Sequence, residues 1–504
     1  MHKVVIGNKQ IEAEDGLLLS ELFIRHGIVA EHPCGGMGIC KKCQVTVNDN
    51  VELSCKYRIH SDVRVVLPEH GEILSETGVD QFNRGAGQSL ADGVADRDDP
   101  NAMANGSDAG KEQCLVLDIG TTTLALAAVD LSEKKVVKVL TSTNPQRVFG
   151  ADVISRIEYC RKHSVEELQE VLVSEINRLI RQISRADSLD IPNTNALRFA
   201  NTLFVAGNAT MLHTLFGEDC STLGVAPYTP VFLERQETTG VELGISGVGR
   251  VVSLPSVSTF VGADIVAGMN YVGLPPEDKY YLFVDLGTNA EVVLFSKEVA
   301  LCTAAAAGPC FEGANISCGM SATPGAIASF CFHGSGKPLF ETIGGIEPKG
   351  ICGTGLVDLI AVLCELGEID ETGYMGCEEY PVTEQILFTQ GDVRQYQLAK
   401  SAVCSAIQAL LKVQGISYEQ IDKMYISGGF SAKINTLNAA KTGLFPTELL
   451  DRCESVGNSS LLGTVKFACE KNDLSVYLKN ARYVDLAADK YFAELFMENM
   501  EFDS

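Results

Sequence analysis

The sequence lacks several features that would point to common functions. It has no basic surplus: 40 Lys and Arg stand against 65 Asp and Glu, for a net charge of −25. Proteins that bind nucleic acid neutralise phosphates with a cationic footprint, so no nucleic-acid partner is expected. It has no run of about 18 apolar residues, and no membrane span or membrane partner is expected. Its opening residues, MHKVVIGNKQIEAEDG, are charged and alternating, unlike an export signal, which makes the cytoplasm the expected location. It also lacks G-x-x-x-x-G-K-[ST], so any nucleotide is held by something other than a P-loop. Cysteine is not scarce, but its 17 copies are odd in number and mostly scattered. Without an export signal they read as reduced thiols, largely small buried hydrophobes, and not as a disulfide scaffold. So many thiols fit a reducing, anaerobic cell.

What is present begins with size: 504 residues, 46% of them hydrophobic, enough for several domains with sizeable cores. The first part, taken as residues 1–74, alternates apolar and polar positions around a "GNKQ" turn, then shows a short helical pattern in "LLLSELFIRHG". Strand patterns follow in "CQVTVND" and "DVRVVLP", making a small α+β module. Between them lies "EHPCGGMGICKKC". The spacing Cys34-x5-Cys40-x2-Cys43-x11-Cys55 supplies four thiolates, which could hold Zn²⁺ or an iron–sulfur cluster. A zinc site usually shows two C-x-x-C knuckles, and only Cys40 and Cys43 form one here. The glycine-rich loop around Cys34 can fold about inorganic sulfide and offer it N–H donors. The scaffold resembles the β-grasp of plant-type and adrenodoxin-type ferredoxins, which implies a [2Fe–2S] cluster on Cys34, Cys40, Cys43 and Cys55. The first gap is one residue longer than the plant-type four, and the fourth cysteine comes early.

Residues 75–112 are rich in Gly, Asp, Ala, Asn and Ser and bury little, so a flexible acidic linker is expected. Beyond it the chain becomes globular and echoes itself. "LVLDIGTTTLALAAVD" (115–130) and "LFVDLGTNAEVVLFSK" (282–297) align without a gap, each reading apolar strand, Asp, Gly, Thr, second strand. Glycine lets a backbone approach a phosphate, Thr and its neighbours aim N–H and hydroxyl donors at its oxygens, and the Asp can hold Mg²⁺ through water. Later, "MYISGGFSAKIN" carries a strand into a Gly-Gly turn.

These three elements are similar to the phosphate-1, phosphate-2 and adenosine motifs of the acetate and sugar kinase/Hsc70/actin superfamily. The resemblance implies a two-lobed α/β actin/Hsc70-like ATPase, with lobes over 113–275 and 276–504. It places Asp118, Gly120, Thr121, Thr122 and Thr123 in the first phosphate loop, and Asp285, Gly287, Thr288 and Asn289 in the second. Gly428 and Gly429 would back the adenosine, and Asp118 and Asp285 would be catalytic and hold Mg²⁺. His213 and His333 are candidate acid–base groups, with a structural role the expectation for both. Glu291 is expected to be structural or to act through a neighbour, and Glu312 and Asn315 to line the nucleotide cleft or, in preference, to face a partner.

A ferredoxin-like module joined to such an ATPase resembles the reductive activators of corrinoid proteins. Supporting stretches include "NPQRVFGADVISRI", "VAGNATMLHTLFG", "SVSTFVGADIVAGM", "AAGPCFEGANISCGMSATPGAI" and "GICGTGLVDLIAVL". The resemblance implies an ATP-dependent one-electron reduction of Co(II) to Co(I) on a corrinoid protein, through the [2Fe–2S] cluster. ATP and Mg²⁺ are the other cofactors, and a low-potential donor such as a ferredoxin or flavodoxin supplies the electron. A homodimer stays open. Three rivals share parts of this pattern: a metabolite kinase with a regulatory cluster, an electron carrier without ATP turnover, and an activator of another radical enzyme.

Overall fold

Val4 and Ile6 on one strand, and Ile11 and Ala13 on the next, alternate with exposed residues and turn one face of a hairpin into a core. In the computed structural model this hairpin is β1 (His2–Ile6) and β2 (Lys9–Ala13), joined by β3 (Gln44–Val47), β4 (Asn50–Leu53) and β5 (Val63–Val66) in the order β2-β1-β5-β3-β4. β1 and β5 run parallel at the centre, and the helix Leu19–Arg25 sends Leu22 and Phe23 into their core. Two hairpins flanking the central strand β5, which runs parallel to β1, with one helix packed against them, make a β-grasp. The structure describes residues 1–6, 9–26, 28, 43–48, 50–67, 79, 82–83, 113–184, 200–331, 339–429, 431–486 and 489–502. Gly27, Cys34, Cys40 and His333 lie outside these residues, as does most of the segment read as a linker. Three described residues of that segment depart from the expected free tether. Val79 and Phe82 pack on the core of the next domain, and Asn83 exchanges two 3.0 Å hydrogen bonds with the backbone of Val136.

From residue 113 the central strands are near-continuous apolar runs, the pattern of sheets covered on both faces. One six-stranded sheet has the order β10-β11-β9-β6-β7-β8, built from β6 (Gln113–Ile119), β7 (Thr123–Asp130), β8 (Lys135–Thr143), β9 (Ala200–Gly207), β10 (Glu237–Thr239) and β11 (Val248–Ser253). A second repeats its architecture around β12 (Tyr280–Leu286), β13 (Ala290–Phe295) and β14 (Ala300–Ala305). A three-stranded sheet of β15 (Ala326–Cys331), β16 (Leu339–Thr342) and β17 (Gly350–Ile351) lies beside it, with a short hairpin of β18 (Glu379–Pro381) and β19 (Leu387–Thr389). β20 (Ile421–Ser427), β21 (Cys453–Gly457) and β22 (Ala481–Tyr483) complete the second six-stranded sheet, in the order β21-β20-β12-β13-β14-β22. Each sheet thus carries a β-hairpin next to a parallel strand, β6–β7 beside β9 and β12–β13 beside β20.

The two halves are joined through a close helix crossing. Helix Ala263–Val272 packs on helix Ser459–Glu470, and a Cβ at Gly463 would stand 1.7 Å from the carbonyl oxygen of Ala267. Only glycine permits that approach. Among the described residues no helix is long and apolar enough to cross a membrane.

Candidate functional site

The ends of β6, β12 and β20 open on one cleft of about 850 Å³. Asp118, Gly120, Thr121, Thr122, Thr123, Asp285, Gly287, Thr288, Asn289, Gly428 and Gly429 all line it. Residues far apart in the chain meet because equivalent strands of the two sheets end at the same place, where a crevice forms outside the strand ends.

The first phosphate hairpin is built as a braced turn. Gly120 N–H donates to the Thr123 carbonyl at 2.9 Å, and a Cβ at Gly120 would lie 2.7 Å from that oxygen. Asn144 Nδ2 donates to the Gly120 carbonyl at 2.8 Å, and Asn208 Nδ2 donates to Thr121 Oγ1 at 3.1 Å. Beneath the turn sits Arg156, fully buried on helix Val153–Lys162. Its guanidinium donates to the carbonyls of Gly150 at 3.0 Å and Thr121 at 2.5 Å. Burial lowers its pKa to about 9, with Arg147 adding to the shift.

Asp118 ends β6 with both carboxylate oxygens in use. Oδ2 accepts from Asn458 Nδ2 at 2.8 Å and Oδ1 from Ser460 Oγ at 2.7 Å. Asn458 caps helix Ser459–Glu470, so this carboxylate ties the first hairpin to an element of the opposite lobe. Burial raises its pKa, and the two hydrogen bonds oppose the rise.

The second hairpin differs in register. In the first, Asp118 pairs with Ala125 and Ile119 with Leu124; in the second, Asp285 pairs with Glu291 and Leu286 with Ala290. The second turn is one residue shorter, although the sequences align without a gap. A one-residue shift turns every side chain to the other face. Leu124 is therefore buried in the core, while Glu291, its counterpart in the alignment, lines the cleft opposite Asp285.

Asp264, at the start of helix Ala263–Val272, faces the same space. Burial and then the neighbouring Asp285 push it up to about 8. Burial likewise raises Asp285 to about 6, and Glu291 well above its usual range, helped by Asp264 and Asp285. This crowding of carboxylates suits a divalent cation. Among the described residues no three His, Cys, Asp or Glu side chains gather closely enough to hold an ion directly. Mg²⁺ would then be held mainly through water, as it prefers.

Asp264 and Arg156 were missed as site residues, but both left a signal. "FGADVISRI" and "VGADIVAGM" repeat a Gly-Ala-Asp that opens a helix, and Arg156 lies one helical turn past the first Asp, Asp152. Of the two placements expected for Glu312, the cleft and a partner face, the structure shows the cleft. Its carboxylate accepts from Thr122 Oγ1 at 2.8 Å and from Thr288 Oγ1 at 3.2 Å. Asn315 is exposed, with φ of 61°, and is not among the cleft-lining residues. His213 is structural. Its Nδ1–H donates to the Ala209 carbonyl at 2.7 Å, and Nε2 accepts from Val231 N–H at 3.0 Å.

In the β-grasp module the structure brings together two of the four expected cluster ligands. Cys43, just before β3, and Cys55, just after β4, are buried with their sulfurs 3.1 Å apart. Two thiolates on one tetrahedral ion at about 2.3 Å stand roughly 3.7 Å apart, so a small adjustment fits this pair to a shared metal ion.

Comparison with known proteins bears on both parts. The family model described as the C-terminal domain of RACo, the ASKHA domain, matches residues 279–504, and that of the RACo middle region matches 114–277. The chain is 26% identical to corrinoid activation enzyme RamQ of Eubacterium limosum, over 98% of each protein. It is 25% identical to the [Co(II) methylated amine-specific corrinoid protein] reductase of Methanosarcina barkeri, over 73% of this chain and 72% of that one. A solved structure titled reductive activator for corrinoid, iron-sulfur protein superposes with a TM-score of 0.70 at 26% identity, covering 100% of this chain and 98% of its own.

Proposed function

The chain belongs to the RACo family, whose middle region and C-terminal ASKHA domain follow one another along it, and from that premise we propose that it is an ATP-driven reductive activator of a corrinoid protein. Its reaction is the one-electron reduction of Co(II) to Co(I) on that protein, which returns it to a methyl-transfer cycle. The observation that carries this reading is the convergence of both Asp-Gly-Thr hairpins and the Gly428-Gly429 turn on one cleft, in a chain that also pairs Cys43 and Cys55 in a β-grasp.

The residues divide the work. Thr121, Thr122, Thr288 and Asn289 donate to ATP phosphates from opposite walls, and Gly120 and Gly287 let the backbone approach them. Gly428, with φ of 108° and no room for a Cβ beside Leu286, makes a flat wall for the adenosine, together with Gly429. Asp285 takes the Mg²⁺-orienting role, with Asp264 and Glu291 facing the same space. Mg²⁺, when bound, neutralises the charge that develops on the phosphates. Asp118 holds the first hairpin to the helix beginning at Ser459 and transmits lobe position. Cys34, Cys40, Cys43 and Cys55 hold the [2Fe–2S] cluster, which supplies a one-electron carrier fed by a ferredoxin or flavodoxin.

The energetics match. For a one-electron couple each tenfold factor is about 59 mV. A nucleotide-driven population shift of about 10⁴-fold therefore offsets an unfavourable gap of roughly 240 mV. The test follows the visible spectrum of a cobalamin-bound partner mixed with the reduced chain. Co(I) absorption should grow with Mg-ATP and stay low without it. Equal growth without ATP, or phosphoryl transfer to a metabolite with no Co(I), would defeat the proposal.

A further inference from the structure

The terminal phosphates of a nucleotide held in this cleft would sit between the two phosphate hairpins. In the structure a protein anion sits there. Glu312 belongs to the second lobe, yet its carboxylate spans both hairpins, accepting from Thr122 Oγ1 on one side and Thr288 Oγ1 on the other. These hydroxyls come from the phosphate loops, and each has one proton to give. A carboxylate and a phosphate compete for the same donors, and their like charges disfavour joint occupancy.

The arm that presents Glu312 is firmly set. Gly308 and Gly313 bracket it with φ of 75° and 78°. A Cβ at Gly313 would lie 2.4 Å from the Met320 carbonyl oxygen, and one at Gly353 would lie 2.0 Å from the Phe311 carbonyl oxygen. Farther along the same loop, Ser317 N–H and Oγ donate to the Asp392 carboxylate at 2.6 Å and 2.5 Å, and Asp392 opens the 25-residue helix Gln390–Gln414. The carboxylate is thus fixed to the second lobe at its base and bonded to the first lobe at its tip.

From this geometry we infer that Glu312 is a clasp between the two phosphate hairpins, a positioning residue that the terminal phosphate of ATP displaces. The inference rests on the nucleotide-binding reading of the cleft. While the clasp is closed it holds the two hairpins in register and keeps their hydroxyls paired. ATP takes over both donors and expels the carboxylate. Because the base of the arm is fixed to helix Gln390–Gln414, the side chain's release breaks the link it made from the second lobe to Thr122 of the first.

The test compares equilibrium binding of Mg-ATP and of adenosine to the full chain, for wild type, Glu312→Gln and Glu312→Ala. Removing one like charge at contact distance should tighten Mg-ATP on the order of tenfold in both variants. Adenosine affinity should not change, a contrast that a general structural defect would not produce. The melting temperature without nucleotide should fall in both variants and recover at saturating Mg-ATP. Unchanged or weaker Mg-ATP binding would overturn the clasp, since the carboxylate would then serve the nucleotide-bound state or neither state. If Glu312→Ala does not fold, Glu312→Gln, which keeps the side chain's volume, decides the matter alone. A wild-type chain that binds no Mg-ATP would overturn the nucleotide reading itself, an outcome distinct from variants that bind as wild type does.

Discussion

The hairpins that open the two lobes share a sequence pattern and differ in almost everything that surrounds it. Asp118 has both oxygens occupied by Asn458 and Ser460 and faces Ala125 across a hairpin whose turn carbonyl, at Thr121, accepts from a buried arginine. Asp285 faces another carboxylate, Glu291, and shares its space with Asp264. Like charges directly opposite on a sheet are destabilising, and burial makes them more so. The first hairpin thus ties its aspartate into hydrogen bonds across the lobes, and the second gathers buried carboxylates at a cost to stability. Carboxylates perturbed in this way mark the second hairpin as the functional-site candidate.

That difference can be broken at several points. The largest effect is expected from Asp285→Asn. ATP turnover should fall on the order of 10³-fold, the scale of a lost electrostatic group in an enclosed site. The melting temperature should hold or rise, because a desolvated carboxylate has been removed. Asp118→Ala should do the reverse in calorimetry, lowering stability by about 2–4 kcal/mol as Asn458 and Ser460 lose their acceptor. Equal melting temperatures for the two variants would erase the distinction.

Next come the turn glycines. Gly120→Ala drives a Cβ to 2.7 Å from the Thr123 carbonyl oxygen, whereas at Gly287 the nearest atom is 3.6 Å away. Chemical denaturation should find about 1–3 kcal/mol lost at Gly120 and under about 0.5 kcal/mol at Gly287. The smallest effect concerns His213, a buried group of the first lobe outside the cleft. Burial lowers its pKa, opposed by the Ala209 carbonyl and by Glu218 and Asp219. The unfolded chain then binds the proton more readily than the folded one. Its contribution to stability is present above about pH 6.5 and is lost as pH falls below that value. Stability measured from pH 8 to pH 5 should show this slope in wild type and a shallower one in His213→Gln.

Much of the fold was readable from local pattern. The strand-Asp-Gly-Thr units, the short helix Leu19–Arg25 and the early β-strands follow periodicity and turn chemistry that neighbouring residues dictate. β4 was missed because "NVEL" is short and mostly exposed. The docking of Asn83 is not legible in the sequence, because a docked segment of polar and small residues carries no periodic signal.

The candidate site was readable only as an inventory. Local sequence determined that two phosphate-type turns, a Gly-Gly turn and four closely spaced cysteines exist in this chain, since glycine, threonine and cysteine act through their own backbone and side-chain chemistry. The tertiary structure decided what each does. A one-residue difference in pairing register, which a gapless alignment cannot show, put Glu291 in the cleft and Leu124 in the core. Folding across the lobes gave Asp118 its partners at 458 and 460, and brought Glu312 between Thr122 and Thr288. Burial, charge coupling and hydrogen-bond satisfaction depend on atoms distant in the chain, so the roles of these carboxylates were set only when the two lobes came together.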